Sequence, residues 1–353
     1  MAELAETVAT LRAEPLWAAS SGARELFHSD MIQWLAEHEP KVFASLFSLN
    51  PAASYRCHRE RGHLDLWIEA VGAGQPLVVE NKLFALPRED QLDGYDAKLA
   101  TKATMAGAAR RLLSLTRPPW HGGSYRGWAW MSYAELGQAL IDSTSDRSDF
   151  AGQFAAHWGR LCLLLHLFAE AVSLCDDAEA YDLDQPRRDL LDDRLLAFAE
   201  TLRAYQLADR IRSELGDDRV AVKPEFTRSK AIVEAFSAAG PGFELGWQLQ
   251  EGQWRMAARS LKDATYEGRP CFGRSAEASA QRDAWAQANF PGHFSFTEVT
   301  AAGIQMSQAN NRATFQHFAP DFSYQYRKVS GATVGRLVAA GVAVSRRILL
   351  GTS

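Results

Sequence analysis

The sequence predicts a mixed α/β chain with α+β character: a central mixed sheet flanked by helices, followed by an α+β C-terminal module. Three observations carry this. An alternating apolar and polar run occupies residues 64–70, a continuous apolar run opens at Leu77, and helical periodicities fall before, between and after such runs. The expected organisation is a core over 1–150, a helical segment over 151–218 packing on it, and a C-terminal module over 219–353 whose role stays open.

Each element has its own signal. In ARELFHSDMIQWLA (23–36), Phe27, Met31, Trp34 and Leu35 recur at helical spacing. The stretch SYRCHRERGHLDLWIEA (54–70) reads as a strand. It ends in strict alternation, with Leu64, Leu66, Ile68 and Ala70 on one face and His63, Asp65, Trp67 and Glu69 on the other. Gly72, Ala73 and Gly74 supply a turn, and Leu77 to Phe84 returns as the second strand of a hairpin. After Pro87 and Arg88, Gln91, Leu92, Tyr95 and Leu99 repeat at helical intervals. RRLLSLT (110–116) and RGWAWM (126–131) read as further strands, and Ser132 with Glu135 forms a capping box opening the helix SYAELGQAL. Residues 153–172 and 186–215 are apolar-periodic helices. Beyond 219, FELGWQLQ, QWRMAARSL and FSFTEV alternate as strands, EASAQRDAWAQANF reads as a helix, and TVGRLVAAGVAVSRRILL closes the chain as another.

Composition excludes several classes. With 47% hydrophobic and 23% charged residues, the 353-residue chain lies in the globular range, away from disordered, collagen-like or coiled-coil sequences. The start, MAELAETVATLRAEPLW, lacks a basic segment followed by an apolar run, and the longest apolar stretch, around Leu161 to Ala169, is too short to span a bilayer. A cytoplasmic protein without membrane partners is expected. Cys57, Cys162, Cys175 and Cys271 are scattered without a C-x-x-C pair, so they read as ordinary buried thiols rather than a disulfide or zinc framework. The net charge of −5 argues against nonspecific coating of nucleic acid. The charge is uneven, however. Residues 97–126 carry Lys98, Lys102, Arg110, Arg111, Arg117 and Arg126 with no acidic residue, whereas 170–218 is rich in aspartate.

The chemistry concentrates in LVVENKL (77–83). Glu80 and Lys82 lie two residues apart and share a strand face with Val78, while Asn81 points away. If Asp65 sits across the ladder from Glu80, two carboxylates and an ammonium converge at about 5 Å between directly opposed Cβ atoms. Such a patch suits a hard cation. Magnesium takes one or two protein carboxylates and fills its other positions with water and phosphate oxygens. The competing reading is a cross-strand ion pair on a solvated face, worth about 0.2–1 kcal/mol.

The ordered set of a first-helix Glu25, a strand Asp65, an E-x-K strand with Glu80 and Lys82, and a Q-L-x-x-Y helix with Gln91 and Tyr95 resembles the PD-(D/E)XK nuclease superfamily over about residues 20–145. The flanking HSDMIQWL, LVVENKL, QLDGY, LSLT and MSYAEL further resemble one prokaryotic subgroup of uncharacterised PD-(D/E)XK proteins with a variable C-terminal half. Leu64 stands where the name-giving proline would, and the carboxylate after it is kept. The resemblance implies a restriction-endonuclease-like core and phosphodiester hydrolysis dependent on magnesium, with manganese as a substitute and DNA as the usual substrate. Asp65 and Glu80 would hold the metal, Lys82 would position the attacking water, and Glu25 and Gln91 would complete the site.

Lys98, Lys102, Arg110 and Arg111 are candidate phosphate contacts, with Arg56, Arg59 and Arg61 comparable. His63 and His28 read as surface side chains without a role, and Tyr95 as a packing residue whose hydroxyl finds a partner. The C-terminal aromatics read mainly as core. A rival from another class is a catalytically silent nucleic-acid- or protein-binding module that keeps the fold. A nuclease gated by its C-terminal half in defence against foreign DNA is a third reading, and that half also offers a surface for a homodimer or a protein partner.

Overall fold

A computed structural model describes the chain apart from residues 1, 24, 60–63, 84–88, 116, 119–123, 228–229, 240–242, 261–283, 285–287, 308–315, 320–321 and 352–353. Its contacts divide the chain into two compact units, residues 1–171 and 172–353.

The first unit is built on a six-stranded mixed sheet ordered β1-β2-β3-β4-β6-β5. Its strands are β1 (Ser54–Arg59), β2 (Leu66–Val71), β3 (Leu77–Lys82), β4 (Ala109–Ser114), β5 (Ser124–Tyr125) and β6 (Trp128–Ser132). β1, β2 and β3 are successively antiparallel, β3, β4 and β6 run parallel, and β5 returns antiparallel at the edge. The single strand expected over 54–70 is therefore two, paired from Ser54↔Val71 to Arg59↔Leu66. β1 ends at Arg59 and β2 begins at Leu66, so the chain reverses between them to set the two strands antiparallel. His63, Arg61, Phe84, Pro87, Arg88 and Cys271 lie outside the described residues.

Leu77, Val78 and Val79 are fully buried, as a strand covered on both faces requires. The β3-to-β4 crossover carries helix α5 (Glu89–Ala100). Its Leu92, Tyr95 and Leu99 pack with Trp67, Val78 and Trp128 on one face of the sheet. Before β1 come α1 (Ala2–Ala13), α2 (Trp17–Ala23), α3 (Glu25–His38) and α4 (Pro40–Leu46). After β6 come α6 (Tyr133–Thr144) and α7 (Phe150–Val172). The capping box on α6 is present as expected, with both Ser132 and Glu135 engaged. α6 and α7 approach closely at two glycines: a Cβ at Gly137 would meet the Gly159 carbonyl oxygen at 2.6 Å.

Asn81 fastens the opposite face. Its Nδ2 donates to the Glu25 carbonyl (2.8 Å) and to Ser29 Oγ (3.2 Å) on α3, and its Oδ1 accepts from the Tyr133 hydroxyl (2.6 Å) on α6. Tyr133 in turn stands edge-on to His28. His28 is not a surface residue but fully buried: its Nδ1 accepts from the Trp158 indole N–H, so Nε2 carries the proton facing Ser20 Oγ. Burial holds this imidazole neutral, lowering its pKa to about 3.

The second unit is an antiparallel sheet ordered β11-β13-β10-β9-β8-β7, with β12 also paired to β13. Its strands are β7 (Ala221–Thr227), β8 (Lys230–Ala238), β9 (Phe243–Gln250), β10 (Gln253–Ser260), β11 (Gln305–Met306), β12 (Gln316–Ala319) and β13 (Phe322–Ser330). Glu251 and Gly252 both take positive φ, giving the two-residue turn that suits the twist of β9 and β10. α9 (Asp193–Leu215) and the closing helix Val334–Gly351 cover one face, over a core that contains the stacked pair Trp247 and Trp254. The helix expected over 186–215 is divided into α8 (Gln185–Leu190) and α9, because Asp192 caps α9 by accepting from Arg194 N and Leu195 N. FSFTEV is not a strand. It leads into a short helix, Thr297–Ala301, with Phe294 and Phe296 packed against the core instead of alternating across a ladder. Most of EASAQRDAWAQANF lies outside the described residues. Cys57 and Cys162 are buried thiols as expected, whereas Cys175 is exposed. Among the described residues no helix is long and apolar enough to cross a membrane.

Tyr133→Phe should lower the stability of the first unit by about 1–3 kcal/mol, because it leaves the buried Asn81 Oδ1 without its donor. Chemical denaturation would read this directly. An unchanged midpoint would mean that Asn81 is satisfied by other means.

Candidate active site

The opening residues of the site sit where β2 begins and β3 ends. The ladder pairs Leu66 with Val79, which sets Asp65, one residue before β2, beside Glu80. The Asp65 carboxylate is held by the strand itself, since its Oδ2 accepts from the Asn81 backbone N–H at 2.7 Å. Lys82 completes the group. Its Nζ lies 2.8 Å from Glu80 Oε1 and 3.8 Å from Asp65 Oδ2, so one ammonium bridges both carboxylates.

Glu80 is the unusual member. Its side chain is 1% exposed, against 24% for Lys82 and 27% for Asp65. Oε1 accepts from Lys82 and from the Tyr95 hydroxyl (3.2 Å), while Oε2 is buried and has no hydrogen-bond partner among the described residues. An orphaned carboxylate oxygen in a protein interior is costly and uncommon. Burial, aided by the Asp65 charge, pushes the Glu80 carboxyl up to about 7 despite Lys82 and Tyr95. Burial pulls the other way on Lys82, but the Glu80 and Asp65 carboxylates outweigh it and hold the ammonium above its ordinary range.

The remaining expected residues act at one remove. Gln91 Nε2 donates to the Tyr95 hydroxyl oxygen at 2.5 Å, and that hydroxyl donates to Glu80, so Gln91 reaches the carboxylate through Tyr95. Glu25, the first residue of α3, accepts from the Leu83 backbone N–H at 3.2 Å and so meets the strand immediately beyond Lys82. Tyr95 is both a packing residue and a ligand to Glu80. The role of Asn81 was not legible in the sequence beyond its pointing away from the carboxylates.

The basic residues are placed differently. α5 runs from the end of β3 back to the start of β4, so Lys98 and Lys102 sit toward the end of the sheet away from Lys82. β4 is about 17 Å long over its six residues. Lys98 lies over the Tyr95 ring, Arg110 is paired with Asp96 at 2.8 Å, and Arg111 points to the opposite face from Arg110. Arg59 pairs with Asp30, and Arg56 is exposed on β1. The structure therefore gathers Asp65, Glu80 and Lys82, links Glu25 and Gln91 to them, and does not bring the four basic candidates into the group.

A divalent ion is tested by the donor set. Two carboxylates, one with a buried unpartnered oxygen, fit a hard cation that takes one or two protein ligands. Among the described residues no three His, Cys, Asp or Glu side chains are grouped to form a closed metal cage. Comparison of the chain with protein-family models, with curated proteins and with solved structures finds no match.

A pH dependence follows from Glu80. Its folded pKa lies above the ordinary 4.5, so its contribution to stability is present below about 4.5 and is lost as pH rises toward 7. A divalent ion must displace that proton below about 7. Magnesium affinity should fall about ten-fold per pH unit below 7 and level off above it. Calorimetric titration from pH 5.5 to 8.5 checks this, and Glu80→Gln should flatten the profile. A wild-type profile that is already flat would remove Glu80 from the ligand set.

Proposed function

We propose that the chain is a magnesium-dependent nuclease that hydrolyses phosphodiester bonds, with DNA as its substrate, at the carboxyl end of β3. The observation that carries this reading is the buried, unpartnered Oε2 of Glu80 on a carboxylate that shares the Lys82 ammonium with Asp65. Bound magnesium, or manganese in its place, supplies Lewis-acid polarisation of a phosphoryl oxygen and lowers the pKa of water. Asp65 and Glu80 hold the ion through hard oxygens. Lys82 positions water with its three N–H donors and stabilises charge that builds on the phosphoryl oxygens. Tyr95 fixes the Glu80 carboxylate with Gln91 behind it, and Glu25 fixes the strand end through Leu83. Lys98, Lys102, Arg110 and Arg111 lie toward the other end of the sheet, with Arg110 and Arg111 on opposite faces, so the reading does not rest on them.

One observation favours a second reading, a catalytically silent nucleic-acid- or protein-binding module. Lys82 already bridges the carboxylates, so the cluster is partly neutralised without a metal.

Charge-removing variants separate the two. Glu80→Gln and Asp65→Asn preserve size and should lower cleavage of plasmid, linear and single-stranded substrates about 100-fold or more, with binding retained. Lys82→Ala should still bind a divalent ion yet lose turnover, and excess chelator should abolish wild-type activity. Cleavage that persists in chelator, together with variants equal to wild type, would leave Glu80 and Lys82 as a cross-strand ion pair and end the nuclease reading.

A further inference from the structure

Beside the carboxylates, the same sheet face continues onto β4 and β6. The parallel register sets Glu80, Leu112 and Trp130 in one row and Lys82, Ser114 and Ser132 in the next. Residues paired across neighbouring strands share a face, so Trp130 stands two strand spacings from Glu80, about 10 Å. Its indole N–H donates to Ser114 Oγ at 3.0 Å, which fixes the ring at the end of β4 next to Lys82. Over that ring lies the guanidinium of Arg117, 5.7 Å from the centroid, on the residue three beyond Ser114.

Arg117 differs from its basic neighbours. Arg110 is held by Asp96 and Arg126 by Asp93, each at 2.8 Å. Arg117 is exposed, and among the described residues no carboxylate pairs with it. A ring beneath a guanidinium restrains its position by cation–π attraction while leaving the N–H fork open at the edge. An open fork at fixed position suits the bidentate geometry of phosphate oxygens.

We propose that Arg117, held over Trp130, is the phosphate clamp that seats a nucleic-acid strand beside the Asp65, Glu80 and Lys82 cluster, gripping a phosphate next to the scissile one. This rests on the nuclease reading and adds the substrate-binding residue that the four basic candidates at the other end of the sheet do not supply. Arg117 binds substrate and takes no part in the chemical step. The shared chemistry is a phosphodiester oxyanion; single-stranded and duplex ligands compete as substrates in the test.

The test uses the full chain with fluorescein-labelled single-stranded and duplex oligodeoxynucleotides, binding in calcium by anisotropy and cleavage in magnesium. Arg117→Ala should raise Kd and KM about ten-fold, leave kcat nearly unchanged, and reduce the salt slope of binding by about one. Arg117→Lys keeps the charge but not the fork and should recover the salt slope without full affinity. Trp130→Leu should weaken binding less than Arg117→Ala and add nothing in the double variant, because the ring acts through the guanidinium. Thermal melts of each variant establish that it is folded. If wild type binds and cleaves while Arg117→Ala matches it in KM and salt slope, the clamp is wrong and the nuclease reading stands. If kcat falls and KM does not, the clamp is likewise wrong. If wild type neither binds nor cleaves, both fall together.

Discussion

The first unit is organised around a carboxylate carried into the interior of a sheet. Glu80 follows three fully buried residues on β3 and is itself almost entirely buried, so its charge must be answered by what lies within reach. Lys82 answers Oε1 from two residues along the same face, Tyr95 answers it from α5, and among the described residues nothing answers Oε2. A stability-driven sequence would place an apolar residue there, since burying an ionised group costs more than an ion pair commonly returns. Perturbed carboxyls of this kind cluster at functional positions, and that general tendency is what the proposed reading draws on.

The same strand supplies the rigidity that such a site needs, because period-two alternation gives its two faces different tasks. Glu80 and Lys82 look toward α5. Asn81 between them looks the other way and ties α3 and α6 to the strand through the Glu25 carbonyl, Ser29 and Tyr133. The Asn81 backbone N–H also holds Asp65 in place. One residue thus links the carboxylate on the neighbouring strand, the helix that bears Glu25, and the buried Tyr133 and His28 contact. Side chains that must stand within about 0.5 Å of a productive geometry need supports of this sort.

Much of this was legible in the sequence because it depends on short-range rules. Alternation at 64–70, the apolar opening at Leu77 and the Ser132 capping signal fix β2, β3 and the start of α6 by local chemistry alone. The pairing of Asp65 with Glu80 followed once a hairpin was assumed. What the sequence did not disclose depends on long-range packing. The reversal between β1 and β2 is set by pairing across the ladder, and the burial of His28 is set by Trp158, 130 residues away. The basic stretch is distributed in the fold for a related reason. A run of positive residues looks continuous in the chain, yet a strand sends Arg110 and Arg111 to opposite faces, and the crossover carries Lys98 and Lys102 to the far end of the sheet. Trp130 carried no distinguishing pattern, since an aromatic at strand spacing is most often core.

Electrostatics give the proposed site an order of events. With Glu80 ionised, Asp65, Glu80 and Lys82 together carry a formal charge of −1, and with Glu80 protonated they carry none, so the bare cluster offers a phosphodiester no net attraction. Charges elsewhere on a chain of net −5 matter less, because exposed charges beyond about 8 Å are screened at physiological ionic strength. A dication held by the two carboxylates reverses the local sign to +1, and Arg117 at the end of β4 extends that positive strip along the sheet face. On the proposed reading the ion binds before the scissile phosphate settles against the cluster, while outer contacts such as Arg117 keep the strand bound when a carboxylate is neutralised. The buried Glu80 supports this sequence from the other side. Its carboxyl, raised to about 7 by burial, is partly protonated near neutral pH, and a bound cation would favour the ionised form.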